Sequence, residues 1–205
     1  MPHIESKKMT VKDLVLIGIL TVLLTVIGMG VGMLTMPLMG FSLIAGAALS
    51  ALVTAPVYLL MAFRVGKRGV MFLHAVLRGL LYTLMGFPHM FIVMLPVGLL
   101  AEWIMTPAST YRSMGRNTVA WSVFNGIYSL HGAILLWIFG GKYFTEQLSS
   151  MFSPEQFALM DQYYFDPVMV LIIIALGAGC GALGCLIGWG LLKRHFIKSG
   201  MVKAA

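Results

Sequence analysis

Charge is what this chain has least of: 10% of its 205 residues are Asp, Glu, Lys or Arg, while 60% are hydrophobic. Soluble domains carry roughly 25% charged residues, so this scarcity excludes an ordinary water-soluble fold. The seven acidic residues are spread out, and no two share an apolar stretch, which excludes the paired intramembrane carboxylates of proton pumps. Cysteine is limited to Cys180 and Cys185. Five apart on a helix, they turn away from each other, which argues against a disulfide and leaves no metal-ligand spacing. They read as small packing residues. There is no Walker A loop, no HExxH and no GxSxG, so ATP hydrolysis by that route, zinc proteolysis and serine hydrolysis all lack their signatures. No inverted repeat is evident, which speaks against a self-sufficient secondary transporter. Any energy for transport must come from another protein.

Apolar length is what the chain has in plenty, with a mean hydropathy of +0.93. Six stretches, 14–35, 41–63, 69–86, 88–106, 117–140 and 167–192, approach the roughly 20 residues that a hydrocarbon core of about 30 Å requires. Each is expected to be a helix, because an open sheet edge in lipid leaves backbone groups unpaired. The expectation is an all-α polytopic membrane protein, a six-helix bundle forming one integral domain over residues 1–205, with 141–166 its only substantial loop.

The formal charge of +7 raises the question of nucleic acid, but twelve of the fourteen Lys and Arg lie beside alternate span ends. They are Lys7, Lys8, Lys12, Arg64, Lys67, Arg68, Arg112, Arg116, Lys193, Arg194, Lys198 and Lys203; only Lys142 lies opposite, and Arg78 is inside a span. The positive-inside rule then places both termini in the cytoplasm and makes the lipid bilayer, not nucleic acid, the basic partner. Glu146, Glu155, Asp161 and Asp166 mark the outer side. Trp103, Trp121 and Trp189 each fall about one turn in from an inner end, where amphipathic rings prefer to lie. The first run is too long for a secretory signal and lacks a small-x-small cleavage site, so it reads as a retained helix. The first eleven residues and the basic tail after residue 192 are expected along the inner surface, and Thr10 with Asp13 makes a capping pair.

Small residues are ruled along two helices. Gly18, Thr21, Thr25, Gly28 and Gly32 share one face of the first, and Gly177, Gly181, Gly184 and Gly188 share one face of the last. Such grooves allow close helix approach in lipid. Each seats either an internal neighbour or another subunit. Pro56 and Pro96 with Gly98 mark expected bends in the second and fourth spans, and Ser122, Asn125, Ser129 and Gly132 make a polar stripe on the fifth.

Arg78 lies ten residues in from Arg68, about 15 Å deep. A charge there costs roughly 2.5–3.5 kcal/mol on insertion scales and must find an acceptor. Two readings stand: a buried pair with Glu102 or helix-end carbonyls, or contact with a ligand carboxylate. Glu102 itself lies nearer the cytoplasm, within reach of Lys12 or Arg64. His74 reads as a hydrogen-bonded interior histidine, while His131 faces toward Tyr82 and Arg78 if the third and fifth spans adjoin. Ser153 followed by Gln156 caps a short amphipathic helix, SPEQFALMDQYYF, which either lids an outward-opening cavity or rests on the membrane surface.

The stretches KDLVLIGILTVL, AEWIM and GALGCLIGWGLLKRHFIKSGMV, spread from Val11 to Val202, resemble the Trep-Strep group of membrane proteins, assigned as substrate-binding S components of energy-coupling-factor (ECF) transporters. The resemblance implies an S-component-type six-helix bundle in a bacterial plasma membrane that captures an extracellular micronutrient. It is not itself an enzyme; it works with a membrane coupling subunit and two cytoplasmic ATPases. It also implies that the first helix meets the coupling subunit. Similar proteins use Ala-x-x-x-Ala there, whereas this chain offers Gly18, Thr21, Thr25, Gly28 and Gly32. The ligand site would lie in the outer half, where Arg78, Tyr82, His89, His131, Met36, Phe41 and Asn125 are the candidate contacts, with Met33, Met39, Met85, Phe87 and Met90 nearby. A sulfur-rich cup with one cation and two histidines suits a haem or related tetrapyrrole, with His89 or His131 as axial ligand, or equally a vitamin-like molecule. No resident cofactor or metal is expected. The rivals are a lipid-modifying enzyme built on Arg78, Glu102, His74 or His131, and a structural subunit without ligand.

Overall fold

Backbone groups immersed in hydrocarbon have only one another to bond, and this chain meets that demand with helix. The computed structural model describes residues 8–106, 111–148 and 152–197, and no strand occurs among them. The segment 1–7 and the end of the basic tail, both expected on the inner surface, lie outside the described residues. Helix α1 (Val11–Thr35) opens with the expected Thr10–Asp13 capping box. Helix α2 (Met39–Val65) contains a π turn at Ser42–Gly46 and Pro56. It closes on Gly66, whose φ of 59° is a left-handed stop that glycine adopts without strain. Then come α3 (Val70–Leu84), α4 (Met90–Ile104), α5 (Met114–Tyr128), α6 (His131–Leu148), α7 (Pro154–Tyr164) and α8 (Pro167–Leu192).

Four segments are helical and apolar over a membrane-spanning length: Val11–Thr35, Met39–Val65, Met114–Lys142 and Pro167–Phe196. The third and fourth expected spans are shorter. Gly86 (φ 92°) and Pro88 form a turn, and α3 and α4 keep 15 residues each, about 22 Å at 1.5 Å per residue. The fifth span is broken between Tyr128 and His131, and α6 departs from helical geometry at Gly140 (φ 79°, ψ 160°) before running on to Leu148. Residues 141–166 therefore hold the end of α6 and all of α7, where the sequence suggested mostly loop.

Helix α8 is the spine, packed on α2 and α5. A Cβ at Gly177 would fall 2.7 Å from the Asn125 carbonyl oxygen, and one at Gly181 would lie 3.3 Å from the Ser122 Cα, so this half of the ladder seats α5. One at Gly184 would lie 2.8 Å from the Leu52 Cα, and one at Gly188 2.9 Å from the Pro56 Cα, so the other half seats α2. The last helix thus spends its groove inside the chain. On α1, Thr21, Thr25 and Gly28 also turn inward: the Thr21 hydroxyl is 3.1 Å from His74 Nδ1, Thr25 donates to the Thr21 carbonyl, and Gly28 faces Ser50. Gly18 and Gly32 adjoin open space, and Val15, Ile19, Val22, Leu23 and Val26 make the exposed side.

Trp121 corrects the interfacial assignment. It is wholly buried, stacked on Tyr58 at 4.3 Å between ring centres, and its indole N–H donates to the Ala51 carbonyl, while Tyr58 donates to Asn117. Trp103 is 74% exposed and Trp189 packs beside Phe63 under Lys193, as rings at a membrane boundary do. One end of the bundle gathers the basic residues: Lys67 pairs with Asp13, Arg112 lies against Gly66, and Arg116 donates to the Ile104 carbonyl.

Candidate functional site

The opposite end holds a cavity of about 360 Å³ between α1, α2, α3, the start of α4, α5, α6 and α7. Its walls are apolar: Met29, Met36, Met39, Met90 and Met160 line it together with Phe87, Phe152 and Leu135. Arg78 forms its deep polar wall. Helical spacing puts Tyr82 one turn after Arg78 on the same face of α3. Arg78 is 4% exposed; its Nη2 donates to the Tyr82 hydroxyl at 3.4 Å, and its guanidinium carbon sits 4.4 Å from the centre of the Tyr128 ring. The Tyr82 and Tyr128 hydroxyl oxygens are 2.7 Å apart. The Arg78 Nε is buried without a hydrogen-bond partner, and no carboxylate pairs with this arginine among the described residues.

The Glu102 pairing considered for Arg78 is not made. Glu102 accepts from the Gly69 and Phe72 backbone N–H groups and from the Tyr111 hydroxyl, closing the amino end of α3 with a carboxylate where the helix dipole favours one. Burial and the Glu102 charge push the Tyr111 phenol up, which keeps it a proton donor. Nor does Glu102 meet Lys12 or Arg64 in a salt bridge among the described residues; the bridge at that end joins Lys67 to Asp13.

Five of the seven candidate contacts meet at the cavity: Arg78, Tyr82, His89, His131 and Met36. His131 Nδ1 lies 3.0 Å from the Tyr128 carbonyl, which can only accept, so the ring N–H sits there and Nε2 keeps a lone pair. The ring stacks on Tyr128 at 5.0 Å, and His89 meets Phe87 and Phe139 edge-on. Phe41 is not in the lining; it is 48% exposed at the start of α2. Asn125 is not there either: its side-chain amide donates to the Trp121 carbonyl, and its own carbonyl accepts from Ser129 beneath Gly177, so it belongs to the α5–α8 seam. Gly28 and Gly32, expected toward a partner, line the cavity. Met33 and Met85 face outward.

Sequence reasoning passed over Tyr128, Tyr164 and Ser50, which all line the site. Tyr128 lies three residues before His131, a spacing that would have found it. Tyr164 ends the amphipathic segment, which roofs the cavity as α7 instead of lying aside from it. Its capping box is complete: Ser153 Oγ accepts from the Gln156 N–H, and Gln156 Oε1 accepts from the Ser153 N–H. A second bond from the Ser153 hydroxyl holds the exposed Glu155 carboxyl below the usual carboxylate range. Met160 and Tyr164 point into the cavity, Trp137 donates to the Tyr164 carbonyl at 3.1 Å, and a Cβ at Gly132 would meet the Tyr164 hydroxyl at 2.8 Å. At the other edge Tyr163 rests over Gly40 in the first turn of α2. Glycines at both edges let the roof sit close.

The family model described as hypothetical bacterial integral membrane protein (Trep_Strep) matches residues 11–198. No curated protein and no solved structure matches the chain.

Proposed function

We propose, from the premise that this chain belongs to the Trep_Strep family of bacterial integral membrane proteins, that it is the substrate-binding S component of an ECF-type importer. In this reading six membrane segments, two of them short, form the bundle, and the basic end with both termini faces the cytoplasm. The roofed cavity opens outward and captures a micronutrient for uptake. A membrane coupling subunit and two cytoplasmic ATPases supply the energy, since the chain has no nucleotide-binding loop. The observation that carries the reading is Arg78: a buried cation without a carboxylate partner among the described residues, at the wall of a lidded apolar cavity on the end away from the basic clusters. Small-molecule pockets run from roughly 300 to 1,000 Å³, and about 360 Å³ is near the lower limit, which favours a vitamin-like ligand over an intact tetrapyrrole. A haem would take its axial donor from His131 Nε2 or His89. The coupling subunit would meet α1 along Gly18 and the exposed valines beside it, since Thr21, Thr25 and Gly28 are occupied within the bundle and Gly32 lines the cavity.

The test is uptake by the assembled complex. Solute accumulation should require co-expressed coupling subunit and ATPases and stop when the ATPases lose their Walker lysine. Purified chain that alone accumulates solute uphill, or turns over a lipid, overturns the reading in favour of an independent transporter or a membrane enzyme.

A further inference from the structure

The polar groups of the cavity are unequal in kind. Among the described residues Arg78 is the one Lys or Arg in the lining, and no Asp or Glu lines it. Arg78 carries five N–H donors, of which one, on Nη2, is given to Tyr82. The Tyr82–Tyr128 contact uses one phenol proton, so whichever ring donates, the other hydroxyl proton is left without a use inside that pair. The site holds a formal positive charge and spare donors, with no acidic side chain among the described lining residues to offset them. The unpartnered Nε of Arg78, buried beside the cavity, points the same way.

We infer, resting on the capture reading above, that the ligand is an organic monoanion with an apolar or aromatic body. Its single carboxylate meets the guanidinium of Arg78 and the spare hydroxyl proton of the Tyr82–Tyr128 pair. The charge inventory sets the class. A cationic ligand would face Arg78 with no acidic side chain among the described lining residues to offset it. The ammonium of a zwitterion would be stripped of water against methionine and phenylalanine without a counter-charge, which is costly. A phosphate ester brings nearly two charges to one arginine. A monocarboxylate matches the one cation, and planar guanidinium suits it geometrically. The methionine wall and the Tyr128–His131 stack then receive a flat or flexible body.

The experiment uses the full chain in lipid nanodiscs and three probes sharing one body: 2-naphthoate, 2-naphthylmethylamine and 2-naphthyl phosphate, each titrated by calorimetry. Wild type should bind 2-naphthoate and neither of the others. Arg78→Gln should weaken the carboxylate by about tenfold or more, the scale of a lost charge-assisted hydrogen bond, and Tyr82→Phe by several-fold. Arg78→Lys, which keeps the charge without the fork, should fall between them. Should Arg78→Gln fail to fold, Arg78→Lys and Tyr82→Phe decide. Amine or phosphate binding as tight as the carboxylate, unchanged 2-naphthoate affinity in the variants, or no 2-naphthoate binding at all overturns the ligand class. None of these touches the capture reading, which falls separately if uptake by the complex does not depend on the ATPases.

Discussion

At the scale of single residues, what a side chain can do here depends on whether its neighbour can yield. A Cβ at Gly184 would lie 2.8 Å from the Leu52 Cα, and backbone does not move aside as a flexible side chain does. Gly184→Ala should cost about 1–3 kcal/mol through overpacking. Gly179, on the same helix, has nothing within 4 Å of its would-be Cβ, so Gly179→Ala should be close to neutral. Thermal unfolding of the two variants in one detergent checks the difference. For the tetrapyrrole version of the ligand, a bound chromophore should lose or shift its absorbance bands in His131→Ala or His89→Ala; an unchanged spectrum in both removes axial histidine. Arg78 was legible in the sequence because a charge deep in an apolar run is costly and must have a reason. Tyr128 and Tyr164 were not, because a tyrosine is as much at home in a core as in a binding site. Asn125 misled for a related cause: its polarity is satisfied along its own helix, by the Trp121 carbonyl.

At the scale of elements, the roof α7 is the part whose stability can be altered without touching the cavity wall. Ser153→Ala removes the bond to the Gln156 N–H and should destabilise α7 by about 1 kcal/mol, read as faster release of a bound ligand with the bundle's unfolding temperature little changed. Because the Glu155 carboxyl is held below its ordinary range, its contribution to the cap is complete at neutral pH and is lost as pH falls through the low carboxylate range. Release should therefore quicken in acid, and Glu155→Gln should remove that part of the dependence. Both capping boxes, at Thr10 and Ser153, were legible because a hydroxyl followed three residues later by a carboxylate or amide is a local device. The lengths of α3 and α4 were not. Their apolar stretches end at Gly86 and resume at Pro88, but the helices stop at Leu84 and start at Met90, and hydropathy does not register how many residues a turn takes.

At the scale of the whole molecule, composition alone dictated an all-helical membrane protein, because scarce charge and long apolar runs leave lipid as the solvent. Which groove faces outward was not readable, since a glycine ladder looks the same whether α2 and α5 or another protein fills it. The structure fills the α8 ladder from within, so variants that add bulk on the exposed side of α1, such as Val22→Trp, should reduce co-purification of a coupling subunit while leaving ligand binding by the isolated chain intact. Pull-down and titration on the same variant check both halves. In the proposed six-segment reading, helices α3 and α4, at about 22 Å, pass beside neighbours of full length, and the girdle presented to lipid is uneven around its circumference. Acyl chains along that flank must shorten or splay to meet it, at fractions of a kcal/mol per ångström. In that reading the bilayer is pinched on one side, next to the buried arginine. Vesicles of short-chain phosphatidylcholine should relieve the pinch and long-chain ones sharpen it, and spin-labelled lipid across such a series should show acyl chains at that flank increasingly perturbed as the membrane thickens.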